Sequence, residues 1–273
     1  MNQYVFILSI GPVQSFIAEA RRTADLYAGS YILSQLSAAA ARKIEPPHEL
    51  VFPHPDTLNG EMGTPNKLVA VLHISEEGDA ARVIGEIAQN AQKAAEDCWH
   101  NFAAAALMQL GLQDPKFHPL WERQKNNLLE FYWVALLIEG DYIETYRRAN
   151  EALDARKRLR LFNQAVEEDL KDSLSGQRQA LRTRHETAEE FWARIARRPN
   201  ERRVKEHERL DTIAAIKRFG VSQNFPSVST IASMDFIHKL EPADKESLIK
   251  KIQAVGDLFY TVDDFGRGFP YDG

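Results

Sequence analysis

The run "YVFILSI", Tyr4 to Ile10, constrains this chain more than any other stretch. Its β-branched and aromatic residues follow one another without a polar break until Ser9, and such a run reads as a buried first strand. Gly11-Pro12 ends it, and proline is well placed in the first turn of a helix. Val13, Phe16, Ile17 and Ala20 then recur at the spacing of one apolar helical face. Leu26, Gly29, Leu33, Leu36 and Ala40 continue a second stripe as far as Ala41. A glycine inside that stripe costs about 1 kcal/mol relative to alanine. The Gly29-Ser30 pair therefore calls for a packing or binding reason.

Further along, "EPPHELVFPHP" reads as a loop around a short edge strand, since its prolines stop any helix. Asn66 to Ile74 reads as a strand. Gly78 to Leu112 is a long alanine-rich helical stretch carrying Cys98, Trp99 and Phe102. Leu128 to Gly140 is another central strand. Asp141 is placed to cap a helix with Tyr142, Tyr146, Ala149 and Leu153 on one side, and Ala155 to Phe162 extends it with a basic face. Residues 164–220 are highly charged and short of β-formers. Within them "FWARIARRPNERRVKEHERL" reads as two charged helices broken at Pro199-Asn200. Asn224 to Phe236 is irregular, a last helix spans about Ala243 to Leu258, and a Gly/Pro-rich tail follows. This order predicts an α+β fold of the ferredoxin-like kind, with helices on one face of a sheet. The basic helical segment is an insertion or a second small domain.

Several functions are excluded or disfavoured. With 273 residues, 44% of them hydrophobic, the chain can bury a real core. The net charge of −5 gives no global basic field, so nucleic acid would have to meet local patches. The single cysteine, Cys98, forms no internal disulfide or thiolate cluster and suits a reducing, cytoplasmic setting. The N-terminal apolar run is too short to span a membrane and lacks the features of a signal peptide. The eight histidines are scattered without an HExxH pair, and the Gly-rich phosphate loops and the G-x-S-x-G elbow do not occur. Asp263 and Asp264 in "TVDD" offer paired carboxylates that could hold magnesium, but a solvated acidic turn is the better reading.

"GPVQSFIAEARRTADLYAGSYILS", Gly11 to Ser34, closely resembles the first palm-like domain of the large subunit of type III-B CRISPR effector complexes, the Cmr-complex member of the CRISPR polymerase/cyclase-like family. "TPNKLVAVL", "YWVAL", "LDARKRLRLF", "NFPSVSTIAS" and "GRGFPYDG" fit the same pattern in order. The resemblance implies a first palm-like domain over 1–163 with a helical insertion. It implies a degenerate zinc-binding insert, helical, over 164–220, and over 221–273 a return segment and truncated linker toward a missing second palm. In the family, an HD nuclease domain is optional. A Gly-Gly-Asp-Asp motif on the second palm holds metal ions and converts ATP to cyclic oligoadenylates. Neither motif is found here, so this chain is expected to be inactive alone. ATP with a divalent metal is expected only together with a second palm. Implied partners are the other type III-B subunits, CRISPR RNA and target RNA.

The resemblance also places residues. Gly11, Gln14, Gly29 and Ser30 are nucleotide-proximal candidates: a glycine-serine pair on an inward helix face leaves room for a base or ribose and supplies a hydroxyl. Close helix packing explains Gly29 equally well. Arg21, Arg22, Arg156, Lys157, Arg158 and Arg160 are candidates for contact with RNA or neighbouring subunits. Arg194, Arg197, Arg198, Arg202, Arg203 and Lys205 form a second basic cluster, interleaved with glutamates that account for much of it by pairing. Where the family carries two Cys-x-x-Cys pairs, this sequence has Asp172 and Ser175, then Asp211 and Ala214. Ser175 is a poor zinc ligand and Ala214 has no donor, so no zinc is expected. The insert must then rest on packing of Phe191, Trp192 and Ile195 against Leu210, Ile213 and Ile216. Two other functions stay open: an interaction module that binds no nucleotide, and a stand-alone nucleotide-binding enzyme using Asp263 and Asp264.

Overall fold

The computed structural model describes residues 1–59, 63–75, 79–112, 118–159, 167, 169–199, 201 and 203–221, with single residues at 239, 241, 244 and 247. The chain is mixed α/β. In order it forms β1 (Asn2–Gly11), α1 (Gln14–Ala18), α2 (Thr23–Ala41), β2 (Glu49–Phe52), a 3-10 turn (Pro55–Asn59) and β3 (Lys67–Ile74). Then follow α3 (Ala80–Leu110), α4 (His118–Asn126), β4 (Glu130–Leu137), α5 (Tyr142–Arg158), α6 (Ala188–Ala196) and α7 (Thr212–Phe219).

The four strands form one antiparallel sheet in the order β2-β3-β1-β4. β1 lies in its middle, with Ile7 opposite Val69 on one side and Val134 on the other. Its alternate residues serve two cores. Phe6, Leu8 and Ile10 join the large cluster built with α2, α3, α6 and α7, while Val5 and Ile7 join a smaller one with Ala149 and Leu153 of α5. Burial on both faces is why the first strand reads as an unbroken apolar run rather than an alternation. The expectation of helices on one face is thus corrected: α5 covers the other, because its Tyr142, Tyr146, Ala149 and Leu153 stripe needs an apolar surface.

The helices α2 and α3 pack side by side. The buried stripe of α3 is Ile84, Ala88, Ala91, Ala95, Trp99, Ala103, Ala106 and Leu110, mostly small residues that allow close approach. Asp79 caps its start by accepting from the Arg82 amide at 3.2 Å, and Gly111, at φ 64°, supplies the left-handed residue that ends it. Asp141 caps α5 as expected, accepting from the Ile143 and Glu144 amides. The helix α4 is not in the predicted order. Its segment is too short and polar to show a stripe, and its large apolar anchor, Trp121, is buried by its neighbours.

The two expected charged helices of 191–210 are one helix and an irregular stretch. α6 begins with a capping box between Thr187 and Glu190. Beyond it, the Glu201 and Glu208 carboxylates accept from the Arg203 and Lys205 amides, each at 2.9 Å. Such local side-chain bonds offer the backbone an alternative to helix. Phe191, Trp192, Ile195, Leu210, Ile213 and Ile216 are all buried in the large cluster, as the packing argument requires. Every residue of α7 is buried, against α2, α3 and α4. Asn224 to Phe236, Asp263 and Asp264, and the Gly/Pro-rich tail lie outside the described residues. Of the expected last helix only Asp244 and Ser247 are described, both helical.

Candidate functional site at the β1–α1–α2 corner

β1 ends at Gly11, and the chain turns through Pro12 and Val13 into α1. α1 is a single turn anchored by Phe16, and residues 19–22 form a corner before α2 sets off in a new direction. α7 is packed against this corner. Lys217, buried by the packing of α7, donates from Nζ to the Phe16 carbonyl at 2.8 Å and to the Glu19 carbonyl. These carbonyls belong to α1 and to the residue that ends it, groups a helix leaves without internal partners. Burial pulls the Lys217 pKa down from its ordinary value, with Glu19 and Asp25 opposing the shift.

Two guanidinium groups complete the join. Arg218 donates from Nε to Asp25 Oδ1 at 3.1 Å, from Nη2 to Asp25 Oδ2, and from Nη1 to Glu208 Oε2 at 2.6 Å. Burial opposes its charge, but the bonds to Asp25 prevail and raise its pKa. Arg178 donates from Nη1 to Glu19 Oε2 at 2.7 Å and to Asp211 Oδ2 at 3.0 Å. Burial again works against the cation, and the two carboxylates more than offset it. On Asp211 burial dominates and pushes the pKa up, with Arg178 pulling the other way.

The predicted nucleotide-proximal residues do not all share one surface. Gly29 is buried, and a Cβ built on it would meet Lys217 Cδ at 3.5 Å, Ile17 Cα at 3.7 Å and the Phe16 ring at 3.7 Å. Ser30, its neighbour, is exposed, and so is Gln14. Gly11 is half-buried at the end of β1, opposite Glu130, whose carboxylate accepts from the Tyr132 hydroxyl at 3.2 Å. The apolar partners of Gly29 were legible as a stripe, but its packing against a lysine 188 positions later was not, since nothing local signals it.

The basic residues divide sharply. Arg156 and Arg158 are exposed on the last turn of α5, with Lys157 half-buried between them, while Arg160 lies outside the described residues. Arg21 is exposed, and Arg22 reaches across to donate to the Arg203 carbonyl at 2.6 Å. Three members of the second cluster are engaged within the molecule, and Arg202 lies outside the described residues. Arg194 pairs with Glu186 at 2.6 Å, Arg203 with Glu201 at 3.0 Å, and Arg198 donates to the Leu110 carbonyl at 2.6 Å.

The four positions corresponding to family zinc ligands come together in space, but their chemistry does not suit zinc. Segments 171–181 and 209–214 are joined by bonds from the Ser173 amide to the Arg209 carbonyl and from the Leu181 amide to the Leu210 carbonyl, both 2.8 Å. Asp172 spends one oxygen on the Leu174 and Ser175 amides and the other on the Ser175 hydroxyl. Asp211 caps α7 through the Ala214 amide and takes Arg178 on its second oxygen. Ala214 supplies no donor at all. Structural zinc needs four deprotonated donors, and this set offers two carboxylates, each oxygen of which already accepts a hydrogen bond. Among the described residues no group of three or more His, Cys, Asp or Glu is arranged to hold a metal.

A family model described as "CRISPR-associated protein Cmr2, N-terminal" matches residues 5–104, from within β1 to within α3. This stretch is similar to the Cmr2 N-terminal family. The match bears out the resemblance to the N-terminal portion of the type III-B large subunit read from Gly11 to Ser34. Two solved Cmr-beta structures are similar in fold. One, the type III-B Cmr-beta apo state determined by cryo-EM, aligns at TM-score 0.56 and 14% identity over 93% of this chain. The other, type III-B Cmr-beta bound to cognate target RNA, aligns at TM-score 0.50 and 15% identity over 92%. This chain spans 37% of the length of each of those chains. No curated protein matches it. Among the described residues no helix is long and apolar enough to cross a membrane.

Proposed function

We propose that this chain is the first palm-like domain and zinc-less insert of the large subunit of a type III-B CRISPR RNA-guided antiviral interference complex, working in the cytoplasm. The Cmr2 N-terminal match over the strand–helix–helix–strand–strand–helix unit carries this reading. The β2-β3-β1-β4 order supports it, since a ferredoxin-like sheet has that antiparallel arrangement. In this reading the chain contributes one wall of an ATP and cyclic-oligoadenylate pocket near Gly11, Gln14 and Ser30, and a second palm supplies the acidic residues and divalent metal. The exposed Arg156 and Arg158 would meet RNA or a neighbouring subunit, where arginines neutralise phosphate and displace counterions.

Co-expression with the remaining type III-B subunits and a CRISPR RNA tests the reading. The chain is expected to co-purify with the assembled complex, and Arg156→Ala with Arg158→Ala to weaken that association most at low salt, where phosphate contacts contribute most. Failure to assemble overturns the proposal. The chain alone, given ATP with magnesium or manganese, is expected to form no cyclic product; robust cyclisation would refute the division of labour between two palms.

A second reading, an interaction module that binds no nucleotide, is favoured by one observation: Gly29 is buried against Lys217 rather than open to a ligand. Calorimetry that detects no ATP binding to the assembled complex at Gln14 and Ser30 substitutions or in the parent would select it.

A further inference from the structure

The misfit between the zinc positions and their residues has a counterpart one side chain away. Arg178 lies within the 171–181 segment, and its guanidinium bridges Asp211, the first residue of the second ligand pair, and Glu19 at the α1–α2 corner. Its own carbonyl accepts from the Asp172 amide at 2.8 Å, so the same residue also closes the turn that holds the first pair. We propose that Arg178 replaces the metal as the central cation of the insert, tying segments 171–181, 209–214 and 13–25 together without zinc.

The chemistry suits the substitution. A guanidinium is permanently charged and presents several donors in a rigid plane, so it can join two carboxylates from different segments. Side-chain exposure is 23% for Arg178, 11% for Glu19 and 2% for Asp211, so the bonds are shielded from water. The guanidinium also does something that a four-ligand metal between the two pairs would not do: it reaches a third segment, through Glu19. The insert is thereby fastened to the corner that Lys217 and Arg218 also grip, next to the Gly29 packing site. A buried cation left without its partners is costly, which makes this contact decisive for how the insert sits.

Hydrogen exchange, metal analysis and melting of the full chain test the proposal. The purified chain is expected to carry no stoichiometric zinc, and excess EDTA to leave its melting temperature unchanged. Arg178→Ala is expected to speed exchange of the α7 amides by about tenfold or more, as loss of charged hydrogen bonds does, while β1 and β3 amides stay protected. Arg178→Lys restores part of that protection. Should Arg178→Ala fail to fold, Glu19→Gln provides the same reading from the partner, with faster α7 exchange and a weaker salt dependence of melting. One bound zinc per chain with a chelator-induced fall in melting temperature would overturn the proposal. Unchanged α7 exchange in both Arg178→Ala and Glu19→Gln would do the same.

Discussion

Arg218 and Asp25 are 193 positions apart in sequence and form a two-pronged pair with side chains only 2% and 3% exposed. The pair joins α7, near the end of the described chain, to the first turn of α2. Removing one partner leaves the other buried and charged. Asp25→Ala is therefore expected to destabilise the fold by about 3–5 kcal/mol, although Glu208 remains on Arg218 and holds the loss toward the lower end. Replacing both partners, as Asp25→Leu with Arg218→Met, should cost far less. Urea denaturation of the two variants measures the difference, and equal losses would show that the pair does not act as a unit.

Gly220 ends α7 directly against α3. A Cβ there would lie 2.5 Å from the Phe102 carbonyl oxygen and 2.7 Å from that of Ile216. Both atoms are backbone, so neither can swing aside. Gly220→Ala is expected to push α7 away from α3 and to lower stability by roughly 1–3 kcal/mol, the usual range for overpacking. A thermal melt within about a degree of the parent would contradict the close approach.

Gly29 poses the opposite case. The nearest atom to a built Cβ is Lys217 Cδ at 3.5 Å, ordinary contact with a flexible chain. Gly29→Ala should be neutral or stabilise α2 by up to about 1 kcal/mol through helix propensity. Gly29→Leu has no such room and should loosen α7. If Gly29→Ala instead abolishes ATP binding by the assembled complex with stability intact, the glycine faces a nucleotide and the packing account of it is wrong.

Acid should loosen the β2–β3 end of the sheet through His48. Its Nδ1 accepts from the His73 amide at 3.2 Å, which it can do only while unprotonated. Burial, then the neighbouring His73, lowers the His48 pKa below its ordinary 6.5. The folded state therefore binds this proton less readily than the unfolded chain. The stabilisation is complete above about pH 6.5 and is lost as pH falls through the folded-state pKa. Melting curves between pH 7.5 and about 5 should show this loss, and His48→Gln should flatten it. An unchanged slope in that variant would exclude His48 as the source.

The element pattern was largely open to reading because it depends on local chemistry. The unbroken apolar β1, the Gly11-Pro12 stop, the alanine-rich α3 and the Asp141 cap all announce themselves within a few residues. The helix α4 did not, since among its described side chains Trp121 is the one large apolar residue fully buried. Nor did the irregular 203–210 stretch, whose charged residues fit a helical pattern until Glu201 and Glu208 take the backbone amides of Arg203 and Lys205 for themselves. The candidate site divided in the same way. The resemblance at Gly11 to Ser34 located the corner, but only the fold separates buried Gly29 from exposed Ser30 and shows which arginines are already paired.

By itself the amino-acid order determined the strands, the main helices, the resemblance of residues 5–104 to the Cmr2 N-terminal family and the lack of a zinc donor at Ala214. Side-chain periodicity, caps and ligand chemistry are properties of neighbouring residues, so they survive without coordinates. Tertiary structure alone decided that Arg178, Lys217 and Arg218 converge on Glu19 and Asp25. Charges far apart in the chain carry no mark of their partners. Only when apolar burial of α7 brings them together, away from water, do they become specific bonds rather than solvated surface.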